Sequence, residues 1–156
     1  MLEKIARTPV SQIATHLPIT IPEDATVVEA VMALKRARRG AIVVTDPQGR
    51  AVGLFTERVA LFELDPTCKE WHLEPVSSVM LPAEVSISIH DTVANAIEKL
   101  REHGLRHIPA VDDRGRAIGI ISSRDLLAFL AEHFPRAFMN LPPRRAPGSK
   151  PGWGDL

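Results

Sequence analysis

The segment GIISSRD at 119–125 carries the side chains of this chain best placed to do chemistry. Ser122 and Asp125 are three apart, the spacing of an N-cap hydroxyl and the third residue of a helix. In one role they serve the backbone: the serine oxygen takes a free N–H of the first turn, and the acid suits the positive end of the helix dipole. In the other role they serve a ligand. A helix start with unpaired N–H groups binds phosphate oxygens, and a carboxylate beside it accepts hydrogen bonds from ribose hydroxyls, as in dinucleotide sites. Both roles can coexist. Arg124 lies close to the same helix start, within reach of a phosphate.

Sixty-six residues earlier, GLFTERV at 53–59 repeats the pattern, with Thr56 for the hydroxyl but Val59 for the acid. Valine accepts no hydrogen bond. A ribose held there would lose bonds to a charged partner worth roughly 1.5–3 kcal/mol each. One intact site and one crippled site are therefore expected.

The elements that must position these residues recur at the same offset. Residues 9–64 align with 75–130 without a gap: PVS on PVS, Thr26-Val27 on Thr92-Val93, GRAVG on GRAIG, Arg58, Leu61 and Leu64 on Arg124, Leu127 and Leu130. Each unit reads as a short helix (9–14; 75–80), a short strand (18–21; 84–89), an amphipathic helix, a hairpin and a closing helix (57–64; 123–133). The long helices show apolar stripes at Val27, Ala30, Val31, Leu34 and at Val93, Ala96, Ile97, Leu100. Thr26-x-x-Glu29 is a capping-box start, and Gly40 and Gly104 are read as the stops. The turns DPQG and DRG join AIVVTD to AVGLF and HIPAVD to AIGII. The fold class is thus α/β (α+β), with two pseudo-twofold-related α-β-α-β-β-α repeats. The units are placed at 1–66 and 67–134, followed by a Pro/Gly-rich tail at 135–156.

Composition narrows the function. The chain has 156 residues, is 45% hydrophobic and 24% charged, and has a formal net charge of zero. No overall basic footprint for nucleic acid or an anionic membrane is present. Few aromatics and no tyrosine disfavour single-strand stacking. Lone Cys68 has no internal disulfide partner and fits a reducing cytoplasm. No signal peptide or membrane span is expected. There is no phosphate-cradling GxxxxGK[ST] loop, no GxSxG elbow and no zinc spacing. His103 and His107 are four apart, but Gly104 intervenes and no third ligand is in sight, so no metal site is expected.

Two copies in register, with LRHIPAVD at 105–112, DRGRAIG at 113–119 and GIISSRD followed by two leucines, resemble a tandem pair of cystathionine-β-synthase (CBS) domains, a Bateman module. The resemblance covers about residues 9–133. It implies two clefts between the repeats, each able to take AMP, ADP, ATP or S-adenosylmethionine, and a regulatory rather than catalytic role in which no cofactor is required. It implies that Asp125 holds the ribose. It places adenine against the first strand of its own unit and the start of the next, at Ala83, Val85, Ser86, Ile108 and Pro109. It brings basic residues of the opposite unit to the phosphates: Arg38 and Arg39 for the intact site, with Arg106 and His107 facing the defective one. The basic run 35–39 reads equally as a helix end that complements the dipole.

The expected partners are a second copy in a homodimer, the adenosyl ligand and a separate effector protein. The alternative function is a ligand-free interaction scaffold that docks through helix faces and the segment 140–154.

Overall fold

The structure, a computed structural model, describes residues 2–14, 16–65 and 67–134. The expected tail at 135–156, with the docking segment 140–154, lies outside the described residues.

The repeat folds as its local signals dictate. Thr26 opens α2 (Val27–Ala37) with a complete capping box: its hydroxyl accepts the Glu29 N–H at 3.3 Å, and the Glu29 carboxylate accepts the Thr26 N–H at 2.8 Å. Thr92 opens α4 (Val93–His103) by accepting the Asn95 N–H at 3.3 Å. Val27, Ala30 and Leu34 on one helix and Val93, Ala96 and Leu100 on the other are buried. Gly104 ends α4 in the left-handed conformation at φ 61°. The stop of α2 differs from expectation. Arg38 takes the left-handed position at φ 52°, two residues before Gly40. Gly40 meets a different demand, because a Cβ there would lie 3.1 Å from the His107 ring.

Each hairpin is built as its turn predicts. In the first, β2 (Ala41–Thr45) pairs antiparallel with β3 (Ala51–Thr56); in the second, β6 (His107–Val111) pairs with β7 (Ala117–Ser122). Asp46 Oδ1 accepts the N–H groups of Gln48 and Arg50, and Asp112 Oδ1 those of Arg114 and Arg116. Gly49 and Gly115 supply the positive φ, at 80° and 77°. The closing helices are α3 (Glu57–Glu63) and α5 (Ser123–His133).

The segments leading into each repeat are less regular than expected. The short helices at 9–14 and 75–80 are single 3₁₀ turns, Val10–Gln12 and Val76–Ser78. The first strand is β1 (Thr20–Pro22). The strand expected at 84–89 is split into β4 (Leu81–Pro82), a 3₁₀ turn (Ala83–Val85) and β5 (Ile87–Ser88). An N-terminal helix, α1 (Leu2–Arg7), packs on α4.

The split strand matters because the lead segments cross over. One sheet runs β1-β2-β3-β4, so β4 of the second repeat completes the sheet of the first. The other runs β5-β6-β7, and His16 of the first repeat bridges its free edge at Ile120. Reciprocal bonds confirm the pseudo-twofold relation. Val10 N–H donates to Asp91 O at 2.7 Å and Val76 N–H to Ala25 O at 2.7 Å; Pro9 pairs with Thr92 as Thr26 pairs with Pro75.

A glycine lies under each crossing. A Cβ on Gly119 would come within 2.8 Å of Ala14 O, and one on Gly53 within 2.6 Å of Leu81 O. Each repeat has its own apolar core, and a third cluster of Ala41, Val43, Leu54, Val85 and Ile120 joins the two sheets.

Candidate functional site

Asp125 stands at the third position of α5 and forms the capping box read from the sequence. Its Oδ2 accepts from the Ser122 N–H at 2.7 Å and from the Ser122 hydroxyl at 2.8 Å, while Ser122 Oγ accepts the Asp125 N–H at 3.1 Å. One carboxylate oxygen is therefore committed to the helix start. The other, Oδ1, faces a cleft of about 500 Å³ and sits 3.4 Å from His16 Nε2.

Both repeats line that cleft. The loop after α2 supplies Arg38, Arg39 and Gly40; the approach to β6 supplies Arg106 and His107; the start of α5 supplies Ser122, Ser123, Arg124 and Asp125. The Arg106 carbonyl accepts the Ser123 N–H at 2.8 Å and His107 lies opposite Ser122 in the ladder, which ties strand and helix start together. Ile19, Ala41 and Ile120 form an apolar wall. Four guanidiniums thus converge with one carboxylate. A cleft of one dominant sign concentrates ligands of the opposite charge.

The His107 imidazole packs over Gly40 and is held below the ordinary range, first by burial. The Asp125 and Glu57 carboxylates oppose that shift, and the Arg106 and Arg39 guanidiniums reinforce it. Its neutral form is favoured in the fold.

The structure thus brings together Ser122, Arg124, Asp125, Arg38, Arg39, Arg106 and His107. For Arg106 and His107 this is a correction, since they were expected at the opposite cleft. The hairpin start stays beside the acid of its own repeat because His107 pairs with Ser122 in the same hairpin. A second correction concerns the apolar wall. Ala83, Val85, Ser86, Ile108 and Pro109 do not line the cleft of Asp125. Ala83 is exposed on the far side of the crossover, Val85 is 3% exposed in the joining cluster, and Ile108 and Pro109 are fully buried. Ser86 Oγ is enclosed, with no hydrogen-bond partner among the described residues, and its carbonyl accepts from Lys99 Nζ. The crossover is the cause. It sets the lead segment of the first repeat beside Asp125, so Ile19 occupies the place assigned to its repeat mate Val85.

The sequence reading missed His16 and Ile19. The only signal for them was the 66-residue offset applied across the repeats rather than within one. At the related position in the second repeat, His16 is replaced by Pro82.

The repeat-related helix start in the first repeat carries no acid at the position of Asp125. Val59 is 9% exposed and belongs to the core of the first repeat. Thr56 caps α3 by accepting the Val59 N–H at 3.1 Å. Leu105 packs against the cluster containing Leu54 and Val85, and Arg58 donates to the Gly104 carbonyl at 3.3 Å.

Comparison with known proteins agrees with this architecture. The family model described as CBS domain matches residues 10–64 and 76–132. An uncharacterized 17.7 kDa protein of Acidianus ambivalens is 31% identical over 126 residues, 80% of this chain and 74% of that protein. Inosine-5′-monophosphate dehydrogenase of Mycobacterium tuberculosis is 29% identical over 138 residues, 88% of this chain but only 25% of the dehydrogenase. Among solved structures, a CBS domain protein from Pyrobaculum aerophilum complexed with AMP superposes with a TM-score of 0.67 at 28% identity, covering 80% of this chain and 98% of the other. With both repeats matched and the sheets exchanging their lead segments as described, this chain belongs to the CBS-domain family and carries a tandem pair of CBS domains.

Proposed function

We propose that the chain is a regulatory module that binds one adenosine-containing ligand in the cleft around Asp125 and acts by binding rather than by catalysis. The observation that carries this reading is that Asp125, whose Oδ1 is not taken by the helix cap, lines a cleft together with Arg38, Arg39, Arg106 and Arg124. A carboxylate suits ribose hydroxyls, and guanidiniums suit phosphate oxygens bidentately. The similar Pyrobaculum protein, complexed with AMP, supports the same class of ligand. The apolar wall of Ile19, Ala41 and Ile120 is proposed for the adenine ring, in place of Ala83, Val85, Ser86, Ile108 and Pro109.

Charge ranks the candidates. Four guanidiniums favour ADP and ATP over AMP, and all three over S-adenosylmethionine, whose sulfonium is repelled. The first cleft, with Val59 in place of the acid and Leu105 in place of Arg39, is proposed to stay empty, giving one ligand per chain.

The proposed output is a change in affinity for a separate effector protein, through a homodimer. Leu61 and Phe62 on α3 and Leu127 on α5 are 77, 76 and 62% exposed, and Leu61 and Leu127 are repeat mates. A face related to itself by the pseudo-twofold suits an isologous contact with a second copy. The same exposed face is the observation in favour of the alternative, a ligand-free scaffold.

Thermal shifts and calorimetry against AMP, ADP, ATP and S-adenosylmethionine test the reading. The expected result is a rise in melting temperature with the phosphorylated ligands that follows RT ln(1 + [L]/Kd), at one ligand per chain. No shift with any of the four sinks the ligand-binding reading and leaves the scaffold.

A further inference from the structure

The ribose reading gives His16, a lining residue of the cleft, no task. His16 is absent from the repeat pattern, because its mate is Pro82. The asymmetry of His16 follows that of the acid: histidine accompanies Asp125, and proline accompanies Val59. The His16 backbone is fixed, since its carbonyl accepts the Ile120 N–H at 3.2 Å. Its imidazole is half exposed and places Nε2 3.4 Å from Asp125 Oδ1.

That distance is informative. A charge-assisted N–H···O bond is typically about 2.7–2.9 Å, so neither group is fully used by the other. Oδ2 is already committed to Ser122, which leaves Oδ1 and Nε2 as an adjacent acceptor and donor opening onto the cleft. Neighbouring hydroxyls of a cis-diol present a donor and an acceptor at a similarly short spacing.

We propose that His16 and Asp125 together form a cis-diol clamp, with His16 as the residue that makes the cleft specific for ribose over deoxyribose. One ribose hydroxyl donates to Oδ1, and its neighbour accepts from the Nε2–H. This inference rests on the adenosine-ligand reading above and extends it, since His16 adds a donor beside the acceptor Oδ1.

The test is calorimetry of the full chain with ADP, 2′-deoxy-ADP and 3′-deoxy-ADP, in the wild type, His16→Ala and His16→Gln. The wild type is expected to bind ADP about tenfold or more tightly than either deoxy analogue, the scale of one hydrogen bond to a polar or charged group. His16→Ala should lower ADP affinity by about the same factor and abolish discrimination against one of the two analogues while keeping it against the other. His16→Gln, which retains an amide donor at similar reach, should restore part of the lost discrimination. An unchanged melting temperature of unliganded His16→Ala separates the effect from misfolding. Both discriminations persisting in His16→Ala overturns the clamp and leaves the nucleotide reading intact. Equal binding of ADP and both analogues by the wild type does the same. No binding of any of the three overturns both readings.

Discussion

The capping of α5 by Asp125 and its proposed hold on ribose can be measured apart. Asp125→Ala removes the acceptor facing the cleft and half of the capping box. Ligand affinity should fall at least tenfold, while stability falls by about 0.5–2 kcal/mol, the usual worth of a cap. Calorimetry reads the first effect and denaturant unfolding the second. Unchanged affinity would remove the ribose role from Asp125.

His107 makes a prediction about pH. Its folded form is pushed below the ordinary imidazole value of 6.5, chiefly by burial over Gly40. Above that value both folded and unfolded chains carry it neutral. As pH falls below 6.5 the unfolded chain takes up the proton first, so stability drops until the folded imidazole also titrates. Melting temperature should therefore decline as pH falls through and below 6.5, and His107→Gln should flatten that decline. An unaltered pH profile in the variant would assign the decline to other groups.

At the scale of elements, the glycine in each Gly-x-x-Ser/Thr segment is explained by what crosses it. Gly119 lies under Ala14 and Gly53 under Met80 and Leu81. Gly119→Ala would drive a methyl group against the Ala14 carbonyl. A loss of about 1–3 kcal/mol is expected, as for overpacking elsewhere, seen as a lower denaturant midpoint with little change in slope. Because the crossing chain leads directly to His16, ligand affinity should weaken as well. A variant of wild-type stability would show that the crossover has slack.

The same crossover limits how far linear reasoning reached. The 66-residue repeat, the hairpins, the helix caps at Thr26 and Ser122, and the grouping of Ser122 with Asp125 were legible because each depends on neighbours within a few residues. Arg38 in place of Gly40 as the stop of α2 was not, because Gly40 answers to His107, a contact made between repeats.

At the scale of the whole molecule, the two repeats have diverged at their helix starts, with Asp125 in one and Val59 in the other. Leu105, where the first repeat has Arg39, packs against the joining cluster, whereas Arg39 lines the cleft of Asp125. The exposed faces of α3 and α5 remain alike. The double variant Leu61→Glu with Leu127→Glu should shift a dimer to monomer in sedimentation velocity while circular dichroism stays native. If the wild type itself sediments as a monomer, the face is left to another partner.

By itself, the sequence determined the repeat, its elements, and that one copy has the acid and the other does not. Those properties follow from local periodicity, turn chemistry and residue identity. Only the tertiary structure decided which side chains stand beside that acid. Two short lead segments exchange sheets, so His16 and Ile19 reach the cleft of Asp125 while Val85 packs into the joining core, and the loop of Arg38 and Arg39 meets Arg106 and His107 across the pseudo-twofold. That exchange is driven by burying apolar edges between the repeats, a property of the packed pair that no single repeat contains.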